Sequence, residues 1–155
     1  DLKPVSFQQD CNDKIDALWN GKGVQIKYLD GDNIGFEVFN YTKNRPGRDV
    51  VGKANYYAVL NFSGTIISLV TMEESKNIIF KMKPLAELYF TKNPNEKFYY
   101  YNGDRTGPKM VMNNDPSNHD RKLMAYIPVS KFENIKKYPC KKEINWEFMK
   151  KKIKF

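Results

Sequence analysis

The stretch that decides the fold runs from Lys97 to Cys140 and reads KFYYYNGDRTGPKMVMNNDPSNHDRKLMAYIPVSKFENIKKYPC. Aromatic and aliphatic runs in it alternate with turns rich in glycine, proline and asparagine, a pattern typical of short antiparallel strands joined by tight loops. It predicts strands at Phe98–Tyr101, Met110–Met112 and Lys122–Val129. The stretch ends on a cysteine whose only possible intrachain partner is Cys11, because the chain has 2 cysteines.

A disulfide between Cys11 and Cys140 would enclose nearly the whole chain. In the chain-entropy account, a loop of this length stabilises the folded state by about 4 to 5 kcal/mol. Disulfides persist in oxidising compartments, so the pattern predicts a secreted protein. The start at Asp1 without a methionine is typical of a processed or a trimmed chain. Two reduced cysteines in a cytosolic protein are the alternative. We predict one disulfide-closed domain at residues 1–140 and a basic C-terminal extension at 141–155.

The composition favours a single sheet-rich domain with anionic partners. The chain has 155 residues, 14% of them aromatic, and a formal net charge of +8. Aromatic residues favour strands, and a positive field attracts nucleic acid, acidic polymers and anionic membranes. A lysine-rich solubilising surface is the alternative. No apolar run is as long as a membrane span, and the extension at 141–155 is better explained as packed chain than as a binding arm.

One short N-terminal helix is predicted directly after the first cysteine. Asn12 and Asp13 can cap its start, and Ile15, Leu18 and Trp19 would share one helical face. We therefore predict an α+β fold in which this helix packs on a twisted antiparallel β-sheet.

Further strands are predicted between turn signals. The first is a short strand at Lys3–Cys11, the next two are Val24–Leu29 and Ile34–Tyr41, and a hairpin follows at Ala54–Phe62 and Thr65–Met72. Alternation of Ile78, Phe80 and Met82 predicts one more strand over Lys76–Lys83, after which Pro84 opens a short second helix.

The sequence contains few groups with catalytic potential. The only histidine, His119, lies in a predicted turn, where a solvated spacer is the usual role of a lone histidine. No cysteine–histidine cluster has metal-ligand spacing, and no phosphate-binding glycine loop is present. Asp104 and Arg105 form either an anion contact or a salt bridge within the turn. We predict neither a metal nor a cofactor.

The segment Gly107–Asn113, the strand ending in Ile127, then Phe132 and Cys140, resembles the C-terminal part of the small fungal guanyl-specific ribonucleases. In that family a glycine-rich loop precedes a strand with a catalytic arginine, a later strand bears a catalytic histidine, and the last cysteine bonds to the N-terminal segment. The resemblance implies the same arrangement of one helix on a twisted antiparallel sheet.

Phe7–Cys11 and the hairpin Asn55–Ile67 are similar to the secreted ribonuclease-like effectors of powdery-mildew fungi. The hairpin of the family therefore has two competing registers in this chain. The catalytic residues match in neither, since Lys109 falls where the family has arginine, Pro128 near its histidine, and Ala58 near its general-base glutamate. Because this reaction needs a base and an acid, the resemblance implies a scaffold without ribonuclease chemistry.

We therefore predict a secreted, monomeric and catalytically inactive ribonuclease-like effector. The resemblance implies binding to a host protein such as a plant immune receptor, with RNA as a further partner. Basic and aromatic side chains in the deciding stretch would contact such a partner. These predicted binding residues are Tyr99, Tyr101, Arg105, Lys109, His119 and Arg121.

Two other functions remain open from the sequence. Many short strands with an early Trp19 also suit a lipocalin-like barrel that carries a small apolar ligand. An active nuclease could instead pair His119 with Asp120 or Glu133 as acid and base. Sequons begin at Asn40 and Asn61, within predicted strands, and permit glycosylation on the secretory route.

Overall fold

A computed structural model describes residues 2–6, 13–61, 66–114 and 120–139. Cys11, His119, Cys140 and the extension 141–155 lie outside these residues, so the disulfide, the histidine site and the basic extension stay predictions. The fold is mostly β-sheet with one long helix. Its strands are β1 (Leu2–Lys3), β2 (Ala17–Trp19), β3 (Lys22–Asp30), β4 (Asn33–Asn40), β5 (Arg45–Pro46), β6 (Tyr56–Leu60), β7 (Ile66–Thr71), β8 (Phe98–Tyr100), β9 (Lys109–Asn114), β10 (Arg121–Pro128) and β11 (Lys136–Pro139). Its helices are α1 (Arg48–Val51) and α2 (Met72–Lys92), with short 3-10 turns at Tyr101–Gly103 and Val129–Lys131.

The chain forms two compact units, each assembled from separate stretches. The first draws on the described residues within 1–31, 52–74 and 133–139, and the second on those within 32–51 and 75–132. The first unit contains a mixed sheet in the order β1-β2-β3-β6-β7-β11, in which β3 and β6 run parallel and the other neighbours antiparallel. Up-and-down barrels are antiparallel throughout, unlike this sheet, and the lipocalin-like carrier stays a prediction.

The predicted N-terminal helix is wrong, and with it the ribonuclease-like fold class. Ala17–Trp19 forms β2, which pairs with β3 through a two-residue loop at Asn20 and Gly21. Both loop residues have positive φ, 48° and 74°, as a type I′ hairpin turn requires. Asn-Gly is the strongest short-range hairpin signal, and here it outweighs the helical spacing of Ile15, Leu18 and Trp19.

The strand predicted at Lys76–Lys83 is also wrong, because these residues belong to α2. The alternation of Ile78, Phe80 and Met82 is coincidental, since Phe80 is 54% exposed and Met82 is fully buried. Pro84 does not open a helix but lies within one. The fully or nearly fully buried residues of α2 recur every three or four positions, the period of a helix, and are Met72, Ser75, Ile79, Met82, Ala86 and Phe90.

The second unit contains an antiparallel sheet in the order β5-β4-β10-β9-β8. On its central strand Leu123, Ala125 and Ile127 are fully buried, while the alternating positions, including Lys122 and Tyr126, are partly exposed. The strands predicted in the deciding stretch are confirmed as β8, β9 and β10 with their antiparallel pairing. This sheet therefore has one core face and one accessible face.

The segment that follows β5 makes close contacts with β4. The backbone N–H of Gly47 donates to the Val38 carbonyl at 2.8 Å, and the N–H of Glu37 donates to Oδ2 of Asp49 at 2.6 Å. A Cβ atom at Gly47 would lie 2.1 Å from the Glu37 carbonyl oxygen, so only glycine fits this approach. These contacts hold the segment that follows β5 against β4.

Candidate nucleic-acid interface

Consecutive aromatic residues of β8 point to opposite faces of the second-unit sheet. Phe98, Tyr99 and Tyr100 lie opposite Val111, Met110 and Lys109 of β9. Tyr99 shares the side of the fully buried Met110, and its ring centroid lies 5.5 Å from that of Tyr89 on α2. Because side chains alternate along a strand, Phe98 and Tyr100 occupy the accessible face.

Phe98 and Tyr100 form a stacked pair on this face. Their ring centroids are 6.4 Å apart and the ring planes differ by 15°. Phe98 is 44% exposed, although an exposed phenylalanine is costly to keep in water. A flat aromatic surface of this kind suits a partner that has its own ring faces.

Two cations lie over the aromatic rings of the same face. The Lys109 Nζ is 5.6 Å from the Phe98 ring centroid and 5.9 Å from that of Tyr126. The Arg105 guanidinium carbon is 5.6 Å from the centroid of Tyr100. These separations are within the range of cation–π attraction. We call the set Phe98, Tyr100, Arg105, Lys109 and Tyr126 the aromatic–basic face.

A tight turn between β8 and β9 holds Arg105 in place. Asn102 and Gly103 have left-handed φ of 54° and 71°, and the Tyr101 N–H donates to the Pro108 carbonyl at 3.0 Å. Oδ1 of Asp104 accepts hydrogen bonds from the side chain and backbone of Thr106 at 2.8 and 2.9 Å. These bonds hold the pKa of Asp104 below its usual value. Asp104 thus stabilises the turn through its bonds to Thr106, while the Arg105 guanidinium lies over the Tyr100 ring.

Gly35 leaves room for the third ring of the face. Gly35 lies opposite Tyr126 in the pairing of β4 with β10. A Cβ atom at this position would lie 3.2 Å from Cε1 of Tyr126, closer than ordinary van der Waals contact. The missing side chain therefore lets the Tyr126 ring lie where it meets Lys109.

The structure separates the predicted binding residues. Arg105 and Lys109 share the aromatic–basic face, whereas Tyr99 lies on the helix side, where burial is the main cause that raises its pKa. Tyr101 belongs to the 3-10 turn, Arg121 lines a separate pocket, and His119 lies outside the described residues. The prediction missed Phe98, Tyr100 and Tyr126, which strand alternation from Lys109 would have indicated.

The pocket that includes Arg121 lies at the other end of β10 and has a volume of about 460 Å³. Its polar centre is Glu87, whose Oε1 accepts a hydrogen bond of 2.8 Å from the Tyr41 hydroxyl and lies 2.7 Å from the Lys83 Nζ. The Arg121 guanidinium carbon is 5.6 Å from the centroid of the Tyr41 ring. The lining residues are Tyr41, Glu87, Phe90, Thr91, Pro94, Met112 and Arg121.

The pocket fixes the protonation of its central pair. Burial raises the pKa of Tyr41, and the adjacent Glu87 carboxylate raises it further. Burial also raises the pKa of Glu87, but the hydrogen bonds from Lys83 and Tyr41 outweigh it and hold the pKa below its usual value. A neutral phenol thus donates to a charged carboxylate.

The start of β10 is held by a buried polar network. The Asn40 Nδ2 donates to Oδ2 of Asp120 at 2.9 Å, and the Lys43 Nζ lies 3.6 Å from the same oxygen. The hydrogen bond from Asn40 is the main cause that lowers the pKa of Asp120, and the charge of Lys43 adds to it. Asn40 is 1% exposed, so the folded protein does not present its sequon amide for glycosylation.

Of the two carboxylates that could act with His119, Asp120 is held in the buried polar network. Asp120 is 3% exposed and bonds to Asn40, while the backbone N–H of Glu133 donates to the Glu74 carboxylate. In the part of the chain that the structure describes, no group of three or more histidine, cysteine, aspartate or glutamate side chains could hold a metal ion. The active-nuclease alternative stays a prediction, because it depends on His119.

No protein-family model, curated protein or solved structure matches this chain. Among residues 2–6, 13–61, 66–114 and 120–139, no helix has the length and apolar character needed to cross a membrane.

Proposed function

We propose that this protein is a non-catalytic binder of single-stranded nucleic acid and that the aromatic–basic face is its contact surface. The observation that carries the proposal is the position of Lys109, whose ammonium group lies over both Phe98 and Tyr126. Such a surface offers stacking and positive charge at the same place. Unpaired nucleotides have the complementary chemistry, with an aromatic base next to an anionic phosphate.

The spacing of the rings supports binding of more than one nucleotide. β8 and β10 lie on either side of β9, so the Phe98–Tyr100 pair and Tyr126 are separated by two strand spacings, about 10 Å. Sheets that recognise single-stranded RNA stack two or three bases on aromatic residues of adjacent strands. The three rings of this face thus provide platforms for bases that are not stacked on each other.

Charge supports the same partner. The net charge of +8 attracts polyanions over a distance, and Arg105 and Lys109 place two cations directly on the face. A duplex would bury its bases away from the rings, so we expect single strands to bind more tightly than duplexes of the same length. A host protein as partner and a secreted location remain predictions from the sequence. The role that we propose for the aromatic–basic face is binding alone.

The test is fluorescence anisotropy with labelled single-stranded RNA, single-stranded DNA and duplex RNA at about 50 and 200 mM salt. We expect Phe98→Ala to weaken single-strand binding by about 1 to 3 kcal/mol, the usual contribution of one stacked base. Lys109→Gln should lower the salt dependence by about 0.7 in slope, as expected for one lost phosphate contact.

Lys92→Gln is the matched control, because Lys92 is an exposed lysine at the end of α2. It removes the same charge from the protein without touching the aromatic–basic face. Absence of binding at the lower salt concentration would refute the proposal. Equal losses in Lys109→Gln and Lys92→Gln would show that binding reflects net charge alone and would also refute it.

A further inference from the structure

We infer that the pocket around Arg121 is a second binding site, for a small organic carboxylate with an apolar body. We call it the Arg121 pocket. Its volume of about 460 Å³ lies within the range of small-molecule sites. The inference does not depend on nucleic-acid binding, because it uses other residues.

The charged groups at the pocket leave one positive charge without a carboxylate partner among the described residues. Lys83 and Glu87 neutralise each other through a contact of 2.7 Å, and the Tyr41 hydroxyl already donates to the same carboxylate. Among the residues that the structure describes, no carboxylate pairs with the Arg121 guanidinium, which lies over the Tyr41 ring. The balance of these groups is one positive charge, and a guanidinium binds carboxylates through paired hydrogen bonds.

The apolar residues that line the pocket indicate which group the ligand carries beside its carboxylate. Phe90, Pro94 and Met112 line the pocket with apolar side chains, beside the polar groups of the other lining residues. Apolar walls with a few placed polar groups are the usual construction of a small-molecule site. A hydrophilic anion such as acetate would leave this surface unused, so the ligand needs an aliphatic or aromatic portion beside its carboxylate.

The backbone of Arg121 is held by two hydrogen bonds in which its side chain takes no part. Its N–H donates to Oγ1 of Thr42 at 2.7 Å, and its carbonyl accepts from the N–H of Tyr41 at 2.8 Å. These two bonds hold the start of β10 against the residues that follow β4. Replacing the guanidinium should therefore change the pocket without loosening the strand.

The Arg121 pocket is distinct from the aromatic–basic face. Arg121 and Tyr126 lie five residues apart on β10, about 17 Å along a strand. Their side chains also belong to opposite faces of the sheet, since Arg121 shares the parity of the buried Leu123 and Ala125 and Tyr126 does not. A ligand in the pocket and a nucleic acid on the face would therefore occupy different surfaces.

The experiment titrates the full chain with phenylbutyrate, followed by isothermal calorimetry and by amide chemical shifts. Phenylbutanol is the neutral comparison, and phenylpropyl phosphate tests a phosphate in place of the carboxylate. We expect phenylbutyrate to bind with a Kd of about 1 mM or tighter, given the usual efficiency of small ligands. Phenylbutanol should bind at least about tenfold more weakly, because it lacks the charge that Arg121 pairs with.

Two variants locate the site. Arg121→Gln should weaken phenylbutyrate binding about tenfold or more, whereas Arg105→Gln, on the aromatic–basic face, should leave it unchanged. Thr91→Trp adds bulk at an exposed position of the pocket rim and should abolish binding while the protein stays folded. Unchanged nucleic-acid binding by Arg121→Gln would show that the two sites are separate.

The inference would be overturned by wild-type protein that does not bind phenylbutyrate. It would also be overturned by equal affinities for phenylbutyrate and phenylbutanol, or by an Arg121→Gln variant that binds as wild type does. Tighter binding of phenylpropyl phosphate than of phenylbutyrate would refute the carboxylate assignment. Failure of nucleic-acid binding would leave all of these measurements unaffected.

Discussion

The Tyr41 hydroxyl donates a hydrogen bond of 2.8 Å to Oε1 of Glu87, which connects the residue after β4 with the C-terminal part of α2. The same oxygen lies 2.7 Å from the Lys83 ammonium group. One carboxylate oxygen thus accepts from a phenol and a lysine that are far apart in sequence. The bond joins two residues that line the Arg121 pocket, and its contribution to the stability of the protein can be measured by substitution.

Tyr41→Phe should reduce the free energy of unfolding by about 1 kcal/mol, because a partly buried charged acceptor loses one donor. Urea unfolding at neutral pH measures the change. Tyr101→Phe is the control, since Tyr101 belongs to the 3-10 turn beyond β8 and should unfold as wild type does. Equal stability of Tyr41→Phe and Tyr101→Phe would contradict the assigned role of the bond.

Stability should fall in acid partly through Glu87. Its pKa is held below the usual value of 4.5, so the folded state favours the carboxylate more than the unfolded state does. The resulting stabilisation is present above about pH 4.5 and is lost as the pH falls through the lower folded-state pKa. In Glu87→Gln the loss between neutral and acidic pH should be smaller than in wild type. Glu96→Gln, at an exposed carboxylate, should keep the wild-type profile.

Pro84 should reduce the stability of α2. Proline has no N–H, so the carbonyl of Phe80 has no helical donor at this point, and the ring strains the preceding turn. Pro84→Ala at this exposed position should raise the free energy of unfolding by about 1 to 3 kcal/mol. Asn77→Ala, also exposed on α2, should raise it by only about 0.5 kcal/mol. A Pro84→Ala variant that gains no more than the asparagine variant would show that the helix accommodates the proline without cost.

Gly47 should tolerate no side chain. A Cβ atom there would lie 2.1 Å from the Glu37 carbonyl oxygen, and backbone atoms cannot move aside as a flexible side chain could. Gly47→Ala should therefore destabilise the protein by more than about 3 kcal/mol. At Gly31 a Cβ atom would meet nothing within 4 Å, although φ is +62°, so Gly31→Ala should cost only about 1 kcal/mol. Thermal unfolding of the two variants tests whether Gly47→Ala loses more stability than Gly31→Ala. An equal or smaller loss in Gly47→Ala would show that the backbone around Gly47 can move aside.

The Cys11–Cys140 disulfide is a prediction that mass spectrometry can test directly. The chain without reductant should be lighter than the reduced chain by two hydrogen atoms, and a peptide that links both cysteines should appear after digestion. Two free thiols that react with an alkylating reagent in the unreduced protein would contradict the pairing. That result would also weaken the prediction that the protein is secreted.

Local patterns in the sequence predicted much of the second-unit sheet. The strands between Phe98 and Val129, and the hairpin of β6 with β7, follow from alternation and turn residues that act over a few positions. The sequence also predicts Arg105 and Lys109 as binding residues, since a basic turn beside an aromatic strand is visible in it. The face to which each ring belongs needed the register of β8 on β9, which placed Phe98 and Tyr100 on the accessible side and Tyr99 on the other.

The tertiary structure decided what depends on contacts between distant residues. The sequence by itself determined short strands, tight turns and a positive charge, because these follow from side-chain type and near neighbours. It did not determine that residues 76–83 are helical, since strand alternation and helical spacing coexist there and only burial of Ile79, Met82 and Ala86 selects the helix. Nor did it determine the parallel pairing of β3 with β6 or the bond from Tyr41 to Glu87, because both join segments whose separation in sequence carries no local signal.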